Sequence, residues 1–473
     1  MELTKISPYK YVLERRGDMR VNAVVYLSPR LLPLVYKDAS LKQLADAACL
    51  PGVLEPVCGM PDIHEGFGLP IGGVMATRPD GVISAGAVGM DINCGVRLLS
   101  TRIPAADLDK PVLRRLIQRI EEYVPTGTGK KSRHKGITEK IFQEVVYTGA
   151  PGIVRHGYGR PADLRHIEEG GCLPGANLSA TSPQARSRGA VQLGTLGGGN
   201  HFIELQAVEE IFDPVTAASF GLPKGTLAVM IHTGSRGFGH QICTDYSRDL
   251  LPAGQKYGIQ LPAKGLACAP AQSPEGQRYY AAMACAVNFA FANRQVITHD
   301  VRAAFRDVLA EQEEKMGLDL VYDVAHNIAK WETHAGRQVL VHRKGATRAL
   351  PPGHSQNPPA YRKTGHPVLL PGSMGTASYV LVGTEKAAET FYSVSHGAGR
   401  VLSRTAAGQQ ISAQRFAESM GEVLLSSRNY RELVDEAPDA YKDIDLVVET
   451  LVASGLARPV ARLRPLAVIK GKD

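Results

Sequence analysis

The chain has 473 residues, of which 44% are hydrophobic and 21% charged, a composition typical of a globular protein and unlike that of a disordered or fibrous one. It contains no apolar run long enough to cross a bilayer and no signal-peptide core at its start, so we expect a cytoplasmic protein without a membrane partner. The net charge of +8 favours a polyanionic partner, and seven scattered cysteines without a CxxC pair argue against a disulfide framework.

The first part of the chain predicts strands separated by glycine turns. Residues 50–100 contain short runs rich in Val and Ile that are broken by glycine, a pattern typical of strands joined by tight turns. Residues 107–124, DLDKPVLRRLIQRIEEYV, have helical spacing, with Asp and Pro near the start. Residues 124–190 are basic and rich in glycine, so we expect a loop-like region there and a candidate mobile insertion.

The second part mixes strands and helices. Residues 227–240, LAVMIHTGSRGFGH, predict a strand that enters a glycine loop, and residues 279–317 predict the longest helix. Residues 318–332 begin as a strand, residues 411–427 predict a helix, and residues 463–471 end the chain as a strand or extended tail. Because no clean βαβ alternation appears, we predict an α+β fold, with residues 1–473 forming a single large domain.

Five residues in glycine-rich segments are candidate metal ligands. Asp91 and Cys94 are three residues apart in GMDINCGVR, so a turn could bring both onto one ion, although a turn-capping Asp and a buried free Cys are the common alternative. His201 follows GGGN, and His232 and His326 come at the ends of apolar stretches, where core histidines also occur. Together these five residues suit a borderline divalent ion, although their ligand types do not identify which metal. Five ligands could hold two ions.

Three arginines are candidate phosphate ligands. Arg236, Arg400 and Arg404 lie in or just after glycine loops, and a guanidinium group matches phosphate oxygens in a bidentate manner, although each could instead form a surface salt bridge. The run KKSRHK at 130–135 is typical of a solvated charge cluster, with an RNA-contacting loop as the alternative. No P-loop, no G-x-S-x-G elbow and no K-x-D-G motif is present.

Several motifs occur together in a fixed order. They are DINCGVR, GGGNHFIE, HTGSRGFG, AHNIA, PGSMGTASYVL, SHGAGR and AYKDID. In this order they resemble the RtcB family of GTP- and manganese-dependent RNA ligases, and the resemblance runs from PDIHEGFGLPIGGV to RLRPLAVIKG, which is most of the chain. It implies a single large α+β domain with the site in a deep central cleft.

The resemblance also implies roles for individual residues. His396 in SHGAGR, which taken alone would most often be structural, would be the nucleophile that becomes guanylylated, with Asp62 as a supporting carboxylate. The ligands of two Mn²⁺ ions, with Cys94 able to bridge them, would be Asp91, Cys94, His201, His232 and His326. The residues that hold GMP would be Asn200, Phe202, Glu204, Ser373, Ser378, Gly397, Tyr441 and Lys470. The RNA phosphates would be held by Arg236, Arg400 and Arg404.

The implied activity joins RNA 3′-phosphate or 2′,3′-cyclic phosphate ends to 5′-hydroxyl ends, through a histidine–GMP adduct and an RNA-ppG intermediate, in tRNA splicing or RNA repair. GTP and two Mn²⁺ ions would be the cofactors, and RNA and an archease-type activator the partners. Three alternatives stay open: a paralogue that ligates DNA or caps 3′-phosphates, a metal-dependent phosphodiester hydrolase, and a metal-stabilised RNA-binding protein. The last would be expected to lack the nucleophile or the ligands, and all of them are present.

Overall fold

Two large β-sheets with helices packed around them make up the fold, which confirms the predicted α+β class. A computed structural model describes residues 1–426 and 430–472. Within these residues, no helix has both the length and the apolar character needed to span a bilayer. Ser427, the last residue of the helix predicted at 411–427, and Asp473, the end of the predicted domain, lie outside the described residues.

The strands are short in the first part of the chain and longest at its end. They are β1 (Thr4–Ser7), β2 (Lys10–Leu13), β3 (Ala23–Tyr26), β4 (Val57–His64), β5 (Ile71–Thr77), β6 (Val82–Ser84), β7 (Gly95–Pro104), β8 (Phe202–Ile211), β9 (Thr226–Thr233), β10 (Cys268–Pro270), β11 (Gly317–Ala325), β12 (Asn327–His334), β13 (Arg337–Lys344), β14 (Ala346–Arg348), β15 (Pro367–Leu370), β16 (Ser378–Gly383), β17 (Ser393–Ser395), β18 (Leu424–Leu425) and β19 (Ala457–Ile469).

The helices range from a single turn to ten turns. They are α1 (Leu32–Val35), α2 (Ser40–Ala47), α3 (Lys110–Tyr123), α4 (Glu139–Arg155), α5 (Pro183–Gly189), α6 (Pro214–Ser219), α7 (Arg236–Lys256), α8 (Pro274–Leu309), α9 (Glu313–Met316), α10 (Arg404–Gln410), α11 (Ala413–Met420) and α12 (Ile444–Ala453).

The larger sheet has the strand order β11-β7-β9-β8-β19-β16-β15, and β18 pairs in parallel with β19. Both faces of this sheet are buried. Along β9, Val229 and Ile231 pack on the side of the helices α3, α4, α7 and α8, whereas Ala228 and Met230 pack on the opposite side, because successive side chains of a strand point to opposite faces. The sheet therefore forms the rigid centre of the molecule.

The second sheet has the order β1-β2-β3-β4-β5-β13-β12 and is antiparallel except between β3 and β4. Its apolar residues pack against α2 and α12. Strands β12 and β13 follow β11 directly in the chain, so β11 and the residues after it lead from one sheet to the other. The functional residues described below lie where the two sheets meet.

Helix α8 crosses the interior and is buried over most of its length. Besides its apolar residues it carries buried polar side chains, among them Asn288, Asn293, Arg294 and Arg302. A buried polar side chain is costly unless it finds partners, and these four bond to loops and strands around the helix. The helix thus fixes backbone segments as well as filling the core.

The structure confirms most of the predicted elements and corrects several. The helix predicted at 411–427 ends at Met420 and is followed by strand β18, and the helix predicted at 279–317 ends at Leu309.

The loop-like prediction for residues 124–190 is wrong for α4 and α5: α4 packs Phe142 and Val145 into the main core. One glycine of this segment has a structural role: α4 kinks at Gly149 (φ 58°), where a Cβ would come within 2.0 Å of a backbone oxygen. The glycine loop predicted after β9 is also shorter than expected, since Arg236 already begins α7.

Candidate metal and nucleotide site

Four neighbouring strands of the larger sheet bring the predicted metal ligands to one edge. His232 lies near the end of β9, and the register pairs it with Val96 of β7 and Phe202 of β8. Because antiparallel neighbours run in opposite directions, the end of β9 meets the starts of β7 and β8, where Cys94 and His201 precede the strands. His326 follows β11, whose last residue pairs with the first residue of β7.

The ligand atoms of these side chains face one another at close range. The Sγ of Cys94 lies 3.3 Å from Nε2 of His201 and 3.3 Å from Nε2 of His232. The Nε2 of His232 lies 3.2 Å from that of His326, and Nε2 of His201 lies 2.8 Å from a carboxylate oxygen of Asp91. Two groups of three candidate ligands result, and Cys94 belongs to both, so a thiolate at this position could bridge two ions.

The arrangement fits a metal centre better than a set of core histidines. Nitrogen ligands held 2.0–2.1 Å from a tetrahedral ion lie about 3.3 Å apart, close to the spacings found here. Both His232 and His326 are buried, and their Nε2 atoms face other candidate ligand atoms. Burial also lowers the pKa of both imidazoles well below its usual value, so both rings stay neutral and keep a lone pair for an ion.

Burial acts to raise the pKa of both Asp91 and Cys94, but neighbouring groups reverse the shift of Asp91. Burial, together with the negative charge of Asp91, raises the pKa of the Cys94 thiol, and a bound cation would favour the thiolate instead. Burial alone would raise the pKa of Asp91 too, but His201, His240 and Arg236 outweigh it and hold that pKa below its usual value. The carboxylate is therefore charged, which favours binding of a cation beside it.

Arg294 ties together the segments that carry three of the ligands. Its guanidinium is fully buried and donates to the backbone carbonyls of Asn93 (2.8 Å) and Thr233 (2.9 Å), next to Cys94 and His232. It also donates to Asp323 of β11 at 2.9 Å, three residues before the third ligand. One side chain of α8 thus fixes the relative positions of three backbone segments.

The predicted nucleophile comes from the other side of the cleft. His396 follows β17, and its Nδ1 lies 2.7 Å from Oδ2 of Asp62, which also accepts its backbone N–H at 3.0 Å. Burial would raise the pKa of Asp62, but the hydrogen bond and charge of His396 and the charge of Lys442 hold it below its usual value. Because the ionised carboxylate accepts, Nδ1 carries the ring proton and Nε2 keeps the lone pair.

His396 lies next to the five candidate ligands, which we call the metal cluster: Asp91, Cys94, His201, His232 and His326. Its ring centroid lies 4.8 Å from that of His326, and its side chain is 14% exposed whereas Asp62 is fully buried. Gly399 makes this fit possible: it has a φ of +71°, and a Cβ there would come within 2.2 Å of the Asp62 carbonyl oxygen. That carbonyl lies 2.9 Å from Nδ1 of His64, so Asp62 holds two imidazoles through different oxygens.

A cavity opens at His396, and most of the residues predicted to hold GMP line it. Those that do are Asn200, Phe202, Glu204, Ser373, Gly397, Tyr441 and Lys470. Arg400 and Arg404 line the same cavity, so the structure brings the predicted nucleophile, nucleotide residues and two of the predicted phosphate ligands together. We call it the nucleotide cavity.

Ser378 differs from the other predicted GMP residues. It does not line the nucleotide cavity; its buried hydroxyl accepts from Gln206 at 3.0 Å and from the Gly372 N–H at 3.3 Å. Gln206 in turn donates to Glu204 at 2.6 Å, and burial raises the pKa of Glu204 to about 8. Ser378 therefore supports the wall of the cavity, and the carboxyl group of Glu204 forms part of that wall.

Glu436 holds the cations of the nucleotide cavity. Its carboxylate lies 3.1 Å from Arg400, 3.5 Å from Arg404 and 3.5 Å from Lys470, and it accepts the hydroxyl of Tyr441. Burial would raise the pKa of Glu436, but the three cations hold it below its usual value. Burial lowers the pKa of Lys470, and Glu436 opposes that shift. The cations thus already have an anionic partner, which an arriving phosphate could replace.

A second cavity lies on the Asp91 side of the metal cluster. Asn200 and Arg404 line both cavities, and Arg236 lines this one and donates to Nδ1 of His201 at 3.0 Å. The glycines of GGGN leave room for these arginines: a Cβ at Gly197 would lie 1.7 Å from Arg236, and one at Gly199 2.3 Å from Arg404. Both glycines also have positive φ values, of 94° and 65°.

Several residues of the two cavities were missed in the sequence, among them Arg188, Glu436 and His64. Arg188 lines the second cavity, and Glu436 and His64 line the nucleotide cavity. His64 belongs to the motif PDIHEGFG, so its place in a glycine-rich segment was a usable signal. Arg188 and Glu436 have ordinary charged neighbours, and only the fold brings them to the site.

Comparisons with known proteins identify the family to which the chain is similar. The family described as tRNA-splicing ligase RtcB matches residues 43–471. A tRNA-splicing ligase RtcB of Archaeoglobus fulgidus is 47% identical over 99% of this chain and 99% of its own length. One of Thermococcus kodakarensis is 47% identical over 96% of the chain and 95% of its own length. An RNA-splicing ligase RtcB of Mycobacterium tuberculosis is 47% identical over 91% of the chain and its own full length.

Proposed function

The chain belongs to the RtcB family of tRNA-splicing ligases, and from this premise we propose that it joins RNA 3′-phosphate or 2′,3′-cyclic phosphate ends to 5′-hydroxyl ends with GTP. The observation that carries this proposal is the state of His396: Asp62 holds its Nδ1–H, and the free Nε2 belongs to a ring beside the metal cluster, at a cavity lined with cations. The candidate nucleophile, the candidate metal ligands and a cavity lined with cations thus lie close together, which supports the proposal.

In the first step, Nε2 of His396 attacks the α-phosphorus of GTP. The Nε2–P bond forms, the bond from the α-phosphorus to the pyrophosphate oxygen breaks, and pyrophosphate leaves. Asp62 accepts the Nδ1–H throughout and stabilises the positive charge that the ring gains when Nε2 becomes bonded to phosphorus. The small residues after His396 leave room for the phosphate.

In the second step, an RNA 3′-phosphate oxygen attacks the GMP phosphorus, the Nε2–P bond breaks, and RNA-ppG results. A 2′,3′-cyclic phosphate is first hydrolysed to the 3′-phosphate. The 5′-hydroxyl oxygen of the other strand then attacks the RNA 3′-phosphorus, the phosphodiester forms, and GMP leaves. Arg236 and Arg404 line the cavity on the far side of the metal cluster, and Arg400 lies beside His396, so their charges offset those of the phosphates brought together.

The metal cluster would hold two Mn²⁺ ions through Cys94, His232 and His326 on one side and Asp91, Cys94 and His201 on the other. Bound ions would neutralise phosphate charge during these steps. Donor type alone does not favour manganese, so its identity is proposed from the family.

Guanine selection is proposed to come from Glu204 and Lys470. The register of β8 and β19 places Lys470 one residue beyond the pair Ile469–Ile203, and Nζ lies 3.4 Å from the carbonyl of His201. A carboxyl and an ammonium group at one end of a cavity can together match the donor and acceptor atoms on one edge of guanine. Tyr441 and Phe202 add aromatic surface for the base and ribose.

The decisive experiment offers the protein matched strands. An RNA with a 3′-phosphate and one with a 2′,3′-cyclic phosphate are each incubated with a 5′-hydroxyl RNA, Mn²⁺ and GTP or ATP, beside the DNA equivalents. We expect joining of both RNA pairs with GTP only. Joining of DNA alone, or 3′-guanylylation without joining, would favour the specialised paralogue, and release of phosphate without joining would favour the hydrolase. Addition of an archease would test whether this proposed activator raises the rate.

A further inference from the structure

Lys442 is a buried cation of the motif AYKDID to which no step above assigns a role. Its side chain is 7% exposed. Its Nζ donates to the backbone carbonyl of Pro61 at 3.1 Å and to that of Ile63, the residues on either side of Asp62. The ammonium group therefore spans the stretch of β4 that carries the partner of the nucleophile.

The backbone of Lys442 contacts the loop that carries His396, the partner of Asp62. Its N–H donates to the carbonyl of Gly399 at 2.9 Å, in the loop that begins with His396. Gly399 itself packs against the backbone of Asp62. One residue thus connects the strand that holds the carboxylate with the loop that holds the imidazole.

The charge of Lys442 acts on the Asp62 carboxylate, which has few other partners. Among the described residues, Oδ1 of Asp62 accepts no hydrogen bond, so Oδ2 alone makes the contacts to His396. Burial lowers the pKa of Lys442 to about 8, and Asp62 opposes that shift. The other charged or titratable groups around this pair are His64 and Asp38.

The state of Asp62 decides which nitrogen of His396 is nucleophilic. An ionised carboxylate accepts the proton of Nδ1 and leaves the lone pair on Nε2. A protonated carboxyl would donate to Nδ1 instead, and the ring proton would move to Nε2, where it blocks attack. A buried carboxylate without a neighbouring cation favours the protonated form.

We propose that Lys442 is a positioning residue for the nucleophile: it holds Asp62 in place and ionised, so that His396 keeps its proton on Nδ1 and its lone pair on Nε2. The inference rests on the covalent histidine–GMP step proposed above. It assigns to AYKDID a role in nucleophile activation in addition to the nucleotide contact proposed for Tyr441.

The test measures the single-turnover rate of GMP-adduct formation with Mn²⁺ and labelled GTP, as a function of pH, for Lys442→Met, which removes the charge, and Lys442→Arg, which keeps it. For Lys442→Met we expect an acid limb moved upward by about one pH unit, so that the rate at a given pH on this limb is about tenfold lower, with little change in KM for GTP. Lys442→Arg should recover most of the rate.

Lys344 offers a matched control. It is also a buried lysine, its Nζ donates to the backbone carbonyls of Phe67 and Gly86, and burial lowers its pKa to about 8. Since these carbonyls do not flank Asp62, Lys344→Met should leave the acid limb where it is in the wild type. If Lys442→Met does not fold, Lys442→Gln, which keeps a donor without the charge, replaces it.

The outcomes separate this inference from the proposed function. A wild type that forms no adduct refutes the proposed function. A wild-type adduct with unchanged rate and pH profile in Lys442→Met overturns the role of Lys442. A slower rate with an unmoved pH profile and no recovery in Lys442→Arg also overturns it, because a purely structural role would give that result.

Discussion

The metal cluster and the cation cluster around Glu436 lie at the same cleft but are built in opposite ways. In the metal cluster, buried imidazoles and a thiol face one another, and two ring nitrogens have no partner among the described residues. In the cation cluster, Arg400, Arg404 and Lys470 already contact Glu436. Strand register brings the candidate ligands of the first region together, whereas the cations of the second region are already neutralised by Glu436 and must exchange partners when phosphate arrives.

The largest effect is expected from Cys94→Ala, which removes the one ligand shared by both groups. We expect Mn²⁺ affinity to fall by at least about 100-fold and the GMP adduct to be lost with it, measured by equilibrium dialysis and labelled GTP. Cys243→Ala is the matched control, because this buried cysteine lies in α7 outside the cluster. Full adduct formation by Cys94→Ala would contradict the ligand assignment.

A somewhat smaller effect is expected from Arg294→Lys. Lysine keeps the charge but cannot reach the carbonyls of Asn93 and Thr233 and the Asp323 carboxylate together, so the ligand segments should loosen. We expect Mn²⁺ affinity to fall by about 10- to 100-fold in a folded protein. Arg302→Lys, on the same helix but paired with Asp163, should retain wild-type affinity. Equal losses in both variants would show that general core damage is responsible.

The third prediction concerns Arg404, which lines both cavities beside the metal cluster. A Cβ in Gly199→Ala would lie 2.3 Å from Arg404, so the guanidinium must move. We expect the joining rate to fall by about tenfold, with Mn²⁺ content unchanged, given that a left-handed alanine alone costs about 1–2 kcal/mol of stability. Gly129→Ala is the control, because Gly129 also has a positive φ (74°) but no atom within 4 Å of its Cβ position. An equal loss in the control would attribute the effect to backbone strain.

The smallest effect concerns stability and pH. Burial raises the pKa of Glu204 from 4.5 to about 8, so the folded state resists ionisation that the unfolded chain undergoes freely. The protonated form therefore stabilises the protein fully below pH 4.5, and this contribution is lost as pH rises to about 8, by an amount on the order of a few kcal/mol. The free energy of unfolding is measured by denaturant titration at a series of pH values, in protein without metal or GTP. The free energy of Glu204→Gln should not fall between pH 4.5 and about 8 as that of the wild type does.

Glu210→Gln provides the comparison for Glu204, since Glu210 is exposed on the same strand β8. Its unfolding free energy should follow the wild-type pH dependence. If Glu204→Gln also follows the wild-type curve, the buried carboxyl does not resist ionisation as described.

The sequence predicted the metal ligands better than their arrangement. Residues such as Cys94 and His326 became candidate ligands only through the ordered motifs that contain them, because each residue alone has a commoner structural role. That they meet depends on the order β11-β7-β9-β8, which is not consecutive in the chain and follows from no local pattern. The α+β class and the helix α8 were predictable from periodicity, but the depth at which α8 is buried was not.

The partners of the functional residues were the least predictable. The contact between Asp62 and His396 joins residues 334 positions apart, and Glu436 has no local feature that separates it from surface glutamates. Residues 124–190 misled the prediction for a related reason: some of their glycines, such as Gly149 and Gly189, serve a kink and close packing inside the core rather than a loop. Long-range contacts thus decide which polar residues become functional.

His396→Ala tests most directly whether His396 is the nucleophile beside a metal cluster that other residues form. The measurement is the Mn²⁺ content of this variant and of the wild type by equilibrium dialysis, together with the GMP adduct formed from labelled GTP. The account predicts two ions per chain in both proteins and an adduct only in the wild type. Loss of Mn²⁺ from His396→Ala, or an adduct that persists without this histidine, would contradict it.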